Sequence, residues 1–389
     1  TGYSNTAIGA NALDACTTGH SNTAIGYLAL SGDVDGIRNT AIGFHAGQVQ
    51  NDADDNVWIG YQCGLNNTTG GSNIGIGKDA LRANTTADHN TAVGADSLTT
   101  NTTGSQNVAV GFETLKVNTT ADGNTAIGMR VLQANTTGAT NTGIGTQALY
   151  NNTTANNNTG VGRNALVSAT SGGSNTAVGN QSGDNITTGT ENSVFGDGAA
   201  GSVTTGAQNT CLGNAAADAG TSLTTGTQNT LIGYTTRVSA ADAFRQIAIG
   251  YNATAQGDNT TMISGTAYQG NNSTTWSQTS DERIKKNIVD NNNGLDLIKK
   301  IQIRNFEYKT VDEVIKDNPE LSDVAEGSVK DIQGVQTGVI AQELEKVLPE
   351  CIKTETTGIK SLQSDNLIWY LVNAIKELST IFFFILSSD

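Results

Sequence analysis

Hydrophobic and polar positions follow a short pattern that repeats along the first two thirds of the chain. Each unit begins with asparagine, and it reads Asn-Thr-Ala-Ile-Gly-x-x-Ala-Leu followed by a polar turn. Successive units lie 17 residues apart, except at one insertion of three residues, and glutamine replaces the asparagine in the last unit. The fifteen units begin at Asn5, Asn22, Asn39, Asn56, Asn73, Asn90, Asn107, Asn124, Asn141, Asn158, Asn175, Asn192, Asn209, Asn229 and Gln246. Such a short, fixed period predicts a solenoid.

The start of each unit predicts a β-strand. The position after the asparagine is nearly always β-branched and the position two residues later is always apolar, so both lie on one strand face. The residue between them is usually alanine or glycine, which allows a close approach. The next glycine ends the strand where the chain bends. We predict a second short strand at the Ala-Leu pair, for example Ala80 and Leu81.

These units predict a parallel β-solenoid with one coil per unit. A coil rises about 4.7–4.9 Å, so fifteen coils form a rod of roughly 70 Å. No proline interrupts the units, as expected when each amide donates to the next coil, and stacked asparagines can hydrogen-bond along the rod. Each coil holds only one or two large apolar residues, too few to offset its ordering entropy easily. Together with the column of small residues, this predicts association of chains as a trimer.

The Asn-Thr-Ala-Ile-Gly unit resembles the head repeats of trimeric YadA-like adhesins, whose Asn-Ser-Val-Ala-Ile-Gly motif folds as a left-handed parallel β-roll. The resemblance covers residues 1 to about 257 and implies a trimeric β-roll. A threonine array for ice or polysaccharide is disfavoured, because the residue two positions after the threonine of the unit is isoleucine or another apolar residue rather than a second threonine. The acidic stretch 52–55 lacks an ordered calcium-ligand pattern, and we interpret it as a solvated turn.

The density of charged residues increases after residue 276. Residues 1–276 carry 8 Lys and Arg and 17 Asp and Glu, whereas residues 277–389 carry 13 and 19. The net charge of −15 argues against a nucleic-acid partner, which would favour a basic stripe. We therefore divide the chain into a repeat shaft (1–257), a transition segment (258–276) and a C-terminal module (277–389). Because the sequence begins inside a repeat, we expect it to be the C-terminal part of a longer protein.

Cysteine and histidine spacing indicates no metal or cofactor. The cysteines are Cys16, Cys63, Cys211 and Cys351; none forms a close pair or lies near a histidine at metal-ligand spacing. We expect buried, apolar thiols. The apolar run 381–386 is too short to span a bilayer, so no membrane insertion is predicted.

A hydroxyl and a lysine stand five residues apart at the start of the module. All three histidines, at positions 20, 45 and 89, lie in the shaft, so the module cannot build a Ser-His-Asp triad of its own. A neutral lysine can activate a serine when burial lowers the lysine pKa, which makes Lys285 the candidate base for Ser280. On a helix the two would lie about 140° apart, so we expect a turn or a strand. The alternative is that Ser280 and Asp281 cap a short helix.

The stretch resembles the Ser-Asp-x-Arg-x-Lys-x-Asn-Ile signature of the intramolecular chaperone autoprocessing domain, which ends endosialidase-type phage tailspikes and fibres. The resemblance covers 277 to about 380. The matching residues are Ser280-Asp281-Glu282-Arg283-Ile284-Lys285-Lys286-Asn287-Ile288, then Phe306-Glu307-Tyr308, Gly338-Val339-Ile340-Ala341-Gln342-Glu343-Leu344 with Pro349, Lys360-Ser361-Leu362, Leu367-Ile368 and Ala374-Ile375-Lys376-Glu377-Leu378. It implies that the module cuts its own chain once, as a serine endopeptidase with a Ser280–Lys285 dyad.

The resemblance implies cleavage at the Ser280–Asp281 junction, but ring size leaves the bond open. Attack by Ser280 on its own carbonyl needs a strained four-membered ring, whereas attack on the Thr279 carbonyl passes through a five-membered ring. A neighbouring chain's group or water can resolve this. Asp281 and Arg283 would orient the loop, and Asn287 would donate to the oxyanion.

Apolar residues at helical spacing predict helices over 338–348 and 364–378. A helical module that trimerises first would set the register of the slow-folding solenoid, and its removal would leave a kinetically stable product. We therefore predict a mainly β fold, a trimeric β-solenoid followed by a small α+β module with a long terminal helix.

The combined pattern predicts a virion protein, the C-terminal part of a viral tail fibre or tailspike. Its partners would be two further copies in a homotrimer and a host-cell surface receptor, a glycan. Adhesion or structure is predicted for the shaft, without separate glycan cleavage. The alternatives are a trimeric adhesin on the bacterial cell surface and a trimerisation cap that does not cleave.

Overall fold

The computed structural model describes residues 2–264, 285–321, 333–354 and 358–386. The chain divides into two compact units, Thr1–Thr261 and Met262–Asp389.

Sixteen strands of three residues each form one parallel sheet in chain order. Each strand pairs in register with the strand of the next coil, so that Thr23 lies opposite Thr40. This confirms the predicted β-solenoid. The strands are β1 Thr6–Ile8, β2 Thr23–Ile25, β3 Thr40–Ile42, β4 Val57–Ile59, β5 Ile74–Ile76, β6 Thr91–Val93, β7 Val108–Val110, β8 Thr125–Ile127, β9 Thr142–Ile144, β10 Thr159–Val161, β11 Thr176–Val178, β12 Ser193–Phe195, β13 Thr210–Leu212, β14 Thr230–Ile232, β15 Ile247–Ile249 and β16 Thr261–Ile263.

Strand alternation separates an inner from an outer face of the sheet. The middle residues, such as Ala24 and Ala41, are fully buried, whereas the apolar residue that follows is half-buried or exposed, as at Ile42. The small residues therefore line the interior of their own coil, and our interpretation of them as a contact between chains was wrong. The narrow interior explains their size, because a Cβ added at Gly143 would lie 2.4 Å from Val131 Cγ1.

The glycine after each strand makes the predicted bend. Gly26 has a φ of 136°, a conformation that side chains rarely adopt. A Cβ at this position would also lie 2.3 Å from the carbonyl oxygen of Gly43 in the next coil. Both backbone conformation and stacking distance thus require glycine here.

The Ala-Leu pair lies in a turn, and the second strand predicted there was wrong. Leu81 has a φ of 52°, in the left-handed region that no regular strand contains. Its amide still bonds to the next coil, at 3.0 Å from the Ser97 carbonyl oxygen, and its side chain is fully buried. Leucines at this position form the main apolar column of the core: Leu30, Leu81, Leu98, Leu115, Leu132, Leu149 and Leu166.

Two ladders of buried asparagines run along the solenoid; stacking of the asparagines that begin the units was predicted, whereas the second ladder, formed by asparagines of the polar turns, was not. In the first, Asn73 N donates to Asn56 Oδ1 at 2.9 Å, and Asn73 Nδ2 donates to the Ala87 carbonyl at 2.9 Å. In the second, Asn84 Nδ2 donates to Asn67 Oδ1 at 2.8 Å. A buried amide is costly when unpaired, so this periodic pairing lets polar side chains occupy the core.

The described part of the C-terminal unit has two small antiparallel strand pairs and a long terminal helix. β17 (Arg304–Phe306) pairs with β18 (Gln336–Gly338), and β19 (Ile352–Thr354) pairs with β20 (Lys360–Leu362). The helices are α1 Leu295–Ile298, α2 Val311–Asp317, α3 Ala341–Leu344 and α4 Ser364–Leu386, with 3₁₀ turns at Pro319–Leu321 and Pro349–Cys351.

Of the two helices predicted in this unit, one is confirmed and one is shorter than predicted. The helix over 364–378 is confirmed, and it continues through the apolar tail to Leu386. The helix over 338–348 was partly wrong, because only Ala341–Leu344 is α-helical. Gly338 instead closes a strand opposite Arg304, and such pairing requires an extended backbone.

Candidate functional site

The predicted site lies partly outside the described residues. Ser280, Asp281 and Arg283 fall there, whereas Lys285 and Asn287 are described and exposed. Residues 285–294 form neither strand nor helix, and Asn287 takes a left-handed conformation with a φ of 56°. We expected a turn or a strand over the motif; its described part, from Lys285 onward, is irregular. The pairing of Ser280 with Lys285 and the roles of the supporting residues stay predictions.

Apolar side chains directly after the motif face solvent in the single chain. Ile288 is 64 % exposed and Val289 is 83 % exposed. Consecutive exposed aliphatic residues are unfavourable unless another surface covers them. They lie three and four residues after Lys285 along the chain.

The terminal helix α4 holds the segment that follows. Asn373 Nδ2 donates to the carbonyl oxygens of Asn291 at 2.6 Å and Asn293 at 3.2 Å. Glu377 Oε2 accepts the Leu295 N–H at 3.1 Å, at the start of α1. The segment after the motif is thus attached to a helix about 80 residues further along the chain.

A small core and surface ion pairs stabilise the rest of the unit. Leu344, Leu348 and Cys351 form its buried centre. Arg304 pairs with Glu343 through two hydrogen bonds, of 3.0 and 2.9 Å, and this guanidinium lowers the pKa of Glu343. This ion pair links β17 to α3. Because solvent screens an exposed ion pair, its contribution to stability is small.

The opposite side of α4 carries an exposed apolar stripe. Leu371, Ile375, Leu378 and Phe382 follow one another at spacings of four, three and four residues, and all four are exposed. This is the spacing of a coiled-coil seam. Within the described part of the chain, no helix, α4 included, combines the length and the apolar character needed to cross a membrane.

The outer face of the solenoid carries two exposed apolar columns. The first contains the last residue of many strands, and the second contains the residue after the bend. Tyr27, Phe44 and Tyr61 of the second column stack with ring centroids 5.4 Å apart. The exposed members of the two columns include Ile8, Ile42, Ile76, Ile127, Ile144, Phe195 and Leu212, and Tyr27, Phe44, Tyr61, Phe112, Met129, Tyr234 and Tyr251.

The acidic stretch 52–55 uses its carboxylates to join coils. Asp54 Oδ1 accepts the Ile37 N–H at 2.8 Å, and Asp55 forms an ion pair of 2.6 Å with Arg38. Among the described residues, no group of three or more His, Cys, Asp or Glu side chains is arranged to hold a metal ion.

Residues 280–353 match the family model described as the chaperone of endosialidase, the S74 peptidases. The match begins at Ser280 and spans the motif, Phe306-Glu307-Tyr308 and the 338–344 stretch. It confirms the resemblance of the C-terminal module to this family of self-cleaving peptidase domains. No curated protein matches the chain significantly.

Sequence reasoning missed the contacts made by Asn373 and Glu377. Both residues lie beyond the matched segment 280–353. Glu377 is in the 374–378 stretch that carries part of the family resemblance, but the sequence assigned neither residue a contact. No local signal links an asparagine and a glutamate of a helix to a segment about 80 residues earlier, because that contact depends on tertiary packing.

Proposed function

We propose that the chain is the C-terminal part of a phage tail fibre or tailspike, whose final domain assembles the shaft and then releases itself. The observation that carries the proposal is the order of the parts. A β-solenoid of sixteen strands is followed by a segment, 280–353, that matches a chaperone family of self-cleaving peptidases. Parallel solenoids need help with register because their strand pairs are slow to form.

In the proposed reaction Ser280 is the nucleophile and Lys285 is the base. The Ser280 hydroxyl oxygen adds to a neighbouring carbonyl carbon, and Lys285 transfers the hydroxyl proton to the departing amide nitrogen. The C–O bond forms as the C–N bond breaks, which leaves an ester and a free amine. Water then hydrolyses the ester, producing a carboxyl group and restoring the hydroxyl.

Two peptide bonds are candidates for the cleavage, and only the first follows the route just described with Ser280 as the attacking group of its own chain. Attack on the Thr279 carbonyl within one chain would cut before Ser280. Attack on the Ser280 carbonyl by a neighbouring chain's group or by water would cut the Ser280–Asp281 bond, which the family resemblance favours. Asn287, two residues after Lys285, would donate to the oxyanion, and Asp281 and Arg283 would orient the loop.

Burial of Lys285 would favour its role as the base. A lysine acts as a base only when it is neutral, and burial favours the neutral form. Lys285 is exposed in the single chain, beside the exposed Ile288 and Val289. We propose that association of chains covers this segment and thereby activates the base.

Exposed apolar surfaces support the proposed homotrimer. The outer columns of the solenoid and the stripe on α4 both present large apolar side chains to solvent. Exposed patches of this kind mark interaction surfaces, and a repeating strand face fits an identical face of a second copy in register. The shaft would then serve adhesion to a glycan receptor on the host. Its YadA-like repeat also suits a bacterial surface adhesin, which an outer-membrane anchor in the full-length gene would favour.

The test is a denaturing gel of the wild type beside Ser280→Ala and Lys285→Ala. The wild type is expected to yield a fragment of about 109 residues, 389 minus 280, and both variants are expected to remain whole. The adjacent and also exposed Lys286 supplies the control, since Lys286→Ala should cleave like the wild type. Mass spectrometry of the fragment identifies the bond. A wild type that stays full length as a soluble trimer would instead be a permanent cap.

A further inference from the structure

The contact between α4 and the segment after the motif is made by backbone as much as by side chains. Gly294 is buried, and a Cβ at this position would lie 2.4 Å from the amide nitrogen of Ala374. Ala374 is itself only 4 % exposed. Small residues on both sides thus allow the segment to lie directly on the helix, a close approach that glycine permits.

Asn373 and Glu377 hold the segment on either side of this contact. They are four residues apart, so they project from the same face of α4. Asn373 bonds to the carbonyls of Asn291 and Asn293, while Glu377 bonds to the Leu295 N–H. The three bonds use backbone groups that the irregular segment cannot pair within a strand or helix, and they define the point at which α1 begins.

This attachment limits where Lys285 can be. Asn291 is six residues after Lys285, and six extended residues reach at most about 20 Å. A freely moving segment would present the lysine in many positions, whereas a segment anchored at 291–295 presents it from one side. The anchor thus reduces the volume that Lys285 can occupy, and holding a catalytic group near its target is a large part of catalysis.

We propose that Asn373 and Glu377 are positioning residues for the autoproteolysis, acting by anchoring residues 291–295 so that Lys285 is held near the reacting bond. The inference rests on the proposed function. Neither residue contacts the reacting bond, and both lie outside the matched segment 280–353. The functional unit of self-cleavage thus includes the terminal helix.

The test compares Glu377→Met with Glu377→Gln in the full chain. The two replacements have similar size and helix preference, but only the amide oxygen of glutamine can accept the Leu295 N–H. The fraction cleaved is followed over time on a denaturing gel. We expect Glu377→Met to slow cleavage about tenfold or more and Glu377→Gln to stay within about twofold of the wild type. Asn373→Asp, which removes both donated bonds, should also slow cleavage, whereas the exposed Lys376→Ala should not.

Hydrogen exchange in a Ser280→Ala background, which keeps the chain whole, separates positioning from folding. Glu377→Met should lose protection at the Leu295 amide while helix content and oligomeric state stay unchanged. Equal cleavage rates for Glu377→Met and Glu377→Gln would overturn the inference, as would slow cleavage of Glu377→Met with protection at Leu295 intact. A wild type that never cleaves would instead overturn the proposed function, and the inference with it.

Discussion

The solenoid and the C-terminal unit differ in how far their apolar residues are buried. The solenoid has a continuous buried core that passes through every coil from Ala24 to Ala255. The described part of the C-terminal unit has three buried apolar residues at its centre, and most large apolar side chains of its terminal helix are exposed. Each coil thus completes its interior within one chain, whereas the described part of the C-terminal unit leaves much of its apolar surface exposed.

Polar groups show the same contrast. The solenoid buries its asparagines in ladders where neighbouring coils supply the partners, although a few buried polar atoms, among them Asp33 Oδ2, have no hydrogen-bond partner among the described residues. The C-terminal unit keeps its ion pairs, such as Lys309–Asp317, at the surface. A solenoid with a closed interior suits a permanent shaft, and a unit with uncovered apolar surface suits a proposed chaperone that acts through association.

The largest expected effect comes from Trp58, which is fully buried in the solenoid. Two positions of the leucine column beside it are Gly47 and Gly64, which leave room for the indole. Trp58→Ala should destabilise the shaft by about 3–5 kcal/mol, because it empties a buried site that no neighbour can fill. Denaturant unfolding of the purified chain, followed by circular dichroism, measures the change. Trp369→Ala, at a position 68 % exposed, is the matched control and should leave the unfolding of the shaft unchanged.

Restoring leucine beside the vacated site sharpens this test. In the Trp58→Ala background, Gly47→Leu should regain part of the lost stability, whereas alone it should destabilise, since a Cβ there would lie 2.6 Å from Trp58 Cδ1. The backbone permits the change because Leu30 in the same column has a φ of 48°, close to the 58° of Gly47. A double variant less stable than Trp58→Ala would contradict this account of the core.

A smaller effect is expected from the core of the C-terminal unit. Leu344→Ala should cost about 2–5 kcal/mol in the stability of that unit, since Leu344 is at the centre of its small cluster. The shaft should unfold as before, because each unit has its own core. Limited proteolysis with mass spectrometry distinguishes the two units, and the exposed Leu371→Ala serves as the control. Equal loss of protection in shaft and C-terminal unit would show that the cores are not independent.

The smallest effect concerns pH and one carboxyl group in the shaft. Asp33 occupies an asparagine position of the second ladder and is fully buried; Oδ1 accepts the Gly36 N–H, while Oδ2 has no hydrogen-bond partner among the described residues. Burial, with the nearby charges of Asp52 and Asp54, raises its pKa to about 7. The folded chain therefore holds a proton that the unfolded chain releases, so this contribution to stability is complete below about pH 4 and is lost as pH rises through about 7.

Asp33→Asn should remove that dependence. At pH 8 it should stabilise the shaft by about 1–3 kcal/mol, because the amide supplies the missing donor of the ladder; at pH 4 the gain should nearly vanish. Asn84→Asp, in the same ladder, should create the same dependence elsewhere. Thermal unfolding between pH 4 and pH 8 measures both. A constant difference between Asp33→Asn and the wild type across this range would refute the assignment.

Tertiary contacts decided several features that local patterns could not. The Ala-Leu pair carried a plausible strand pattern, yet Leu81 takes a left-handed conformation because the coil must turn there to keep its leucine inside. The stretch 338–348 carried a helical pattern, yet Gly338 pairs with Arg304 on a distant strand. In both cases a long-range contact outweighed a weak local preference.

Spacing along the chain was enough to specify the period of 17 residues, the strand at the head of each coil, the bend at its glycine, the ladder of the asparagines that begin the units, and the resemblance of the C-terminal module to a chaperone family. Each is a periodic or contiguous pattern, so the residues that interact are set by spacing along the chain. Only the tertiary structure decided which strand face is the interior, how Trp58 is accommodated, and that Asn373 and Glu377 anchor the segment after Lys285. Those features depend on available volume and on contacts between remote residues, which no local pattern specifies.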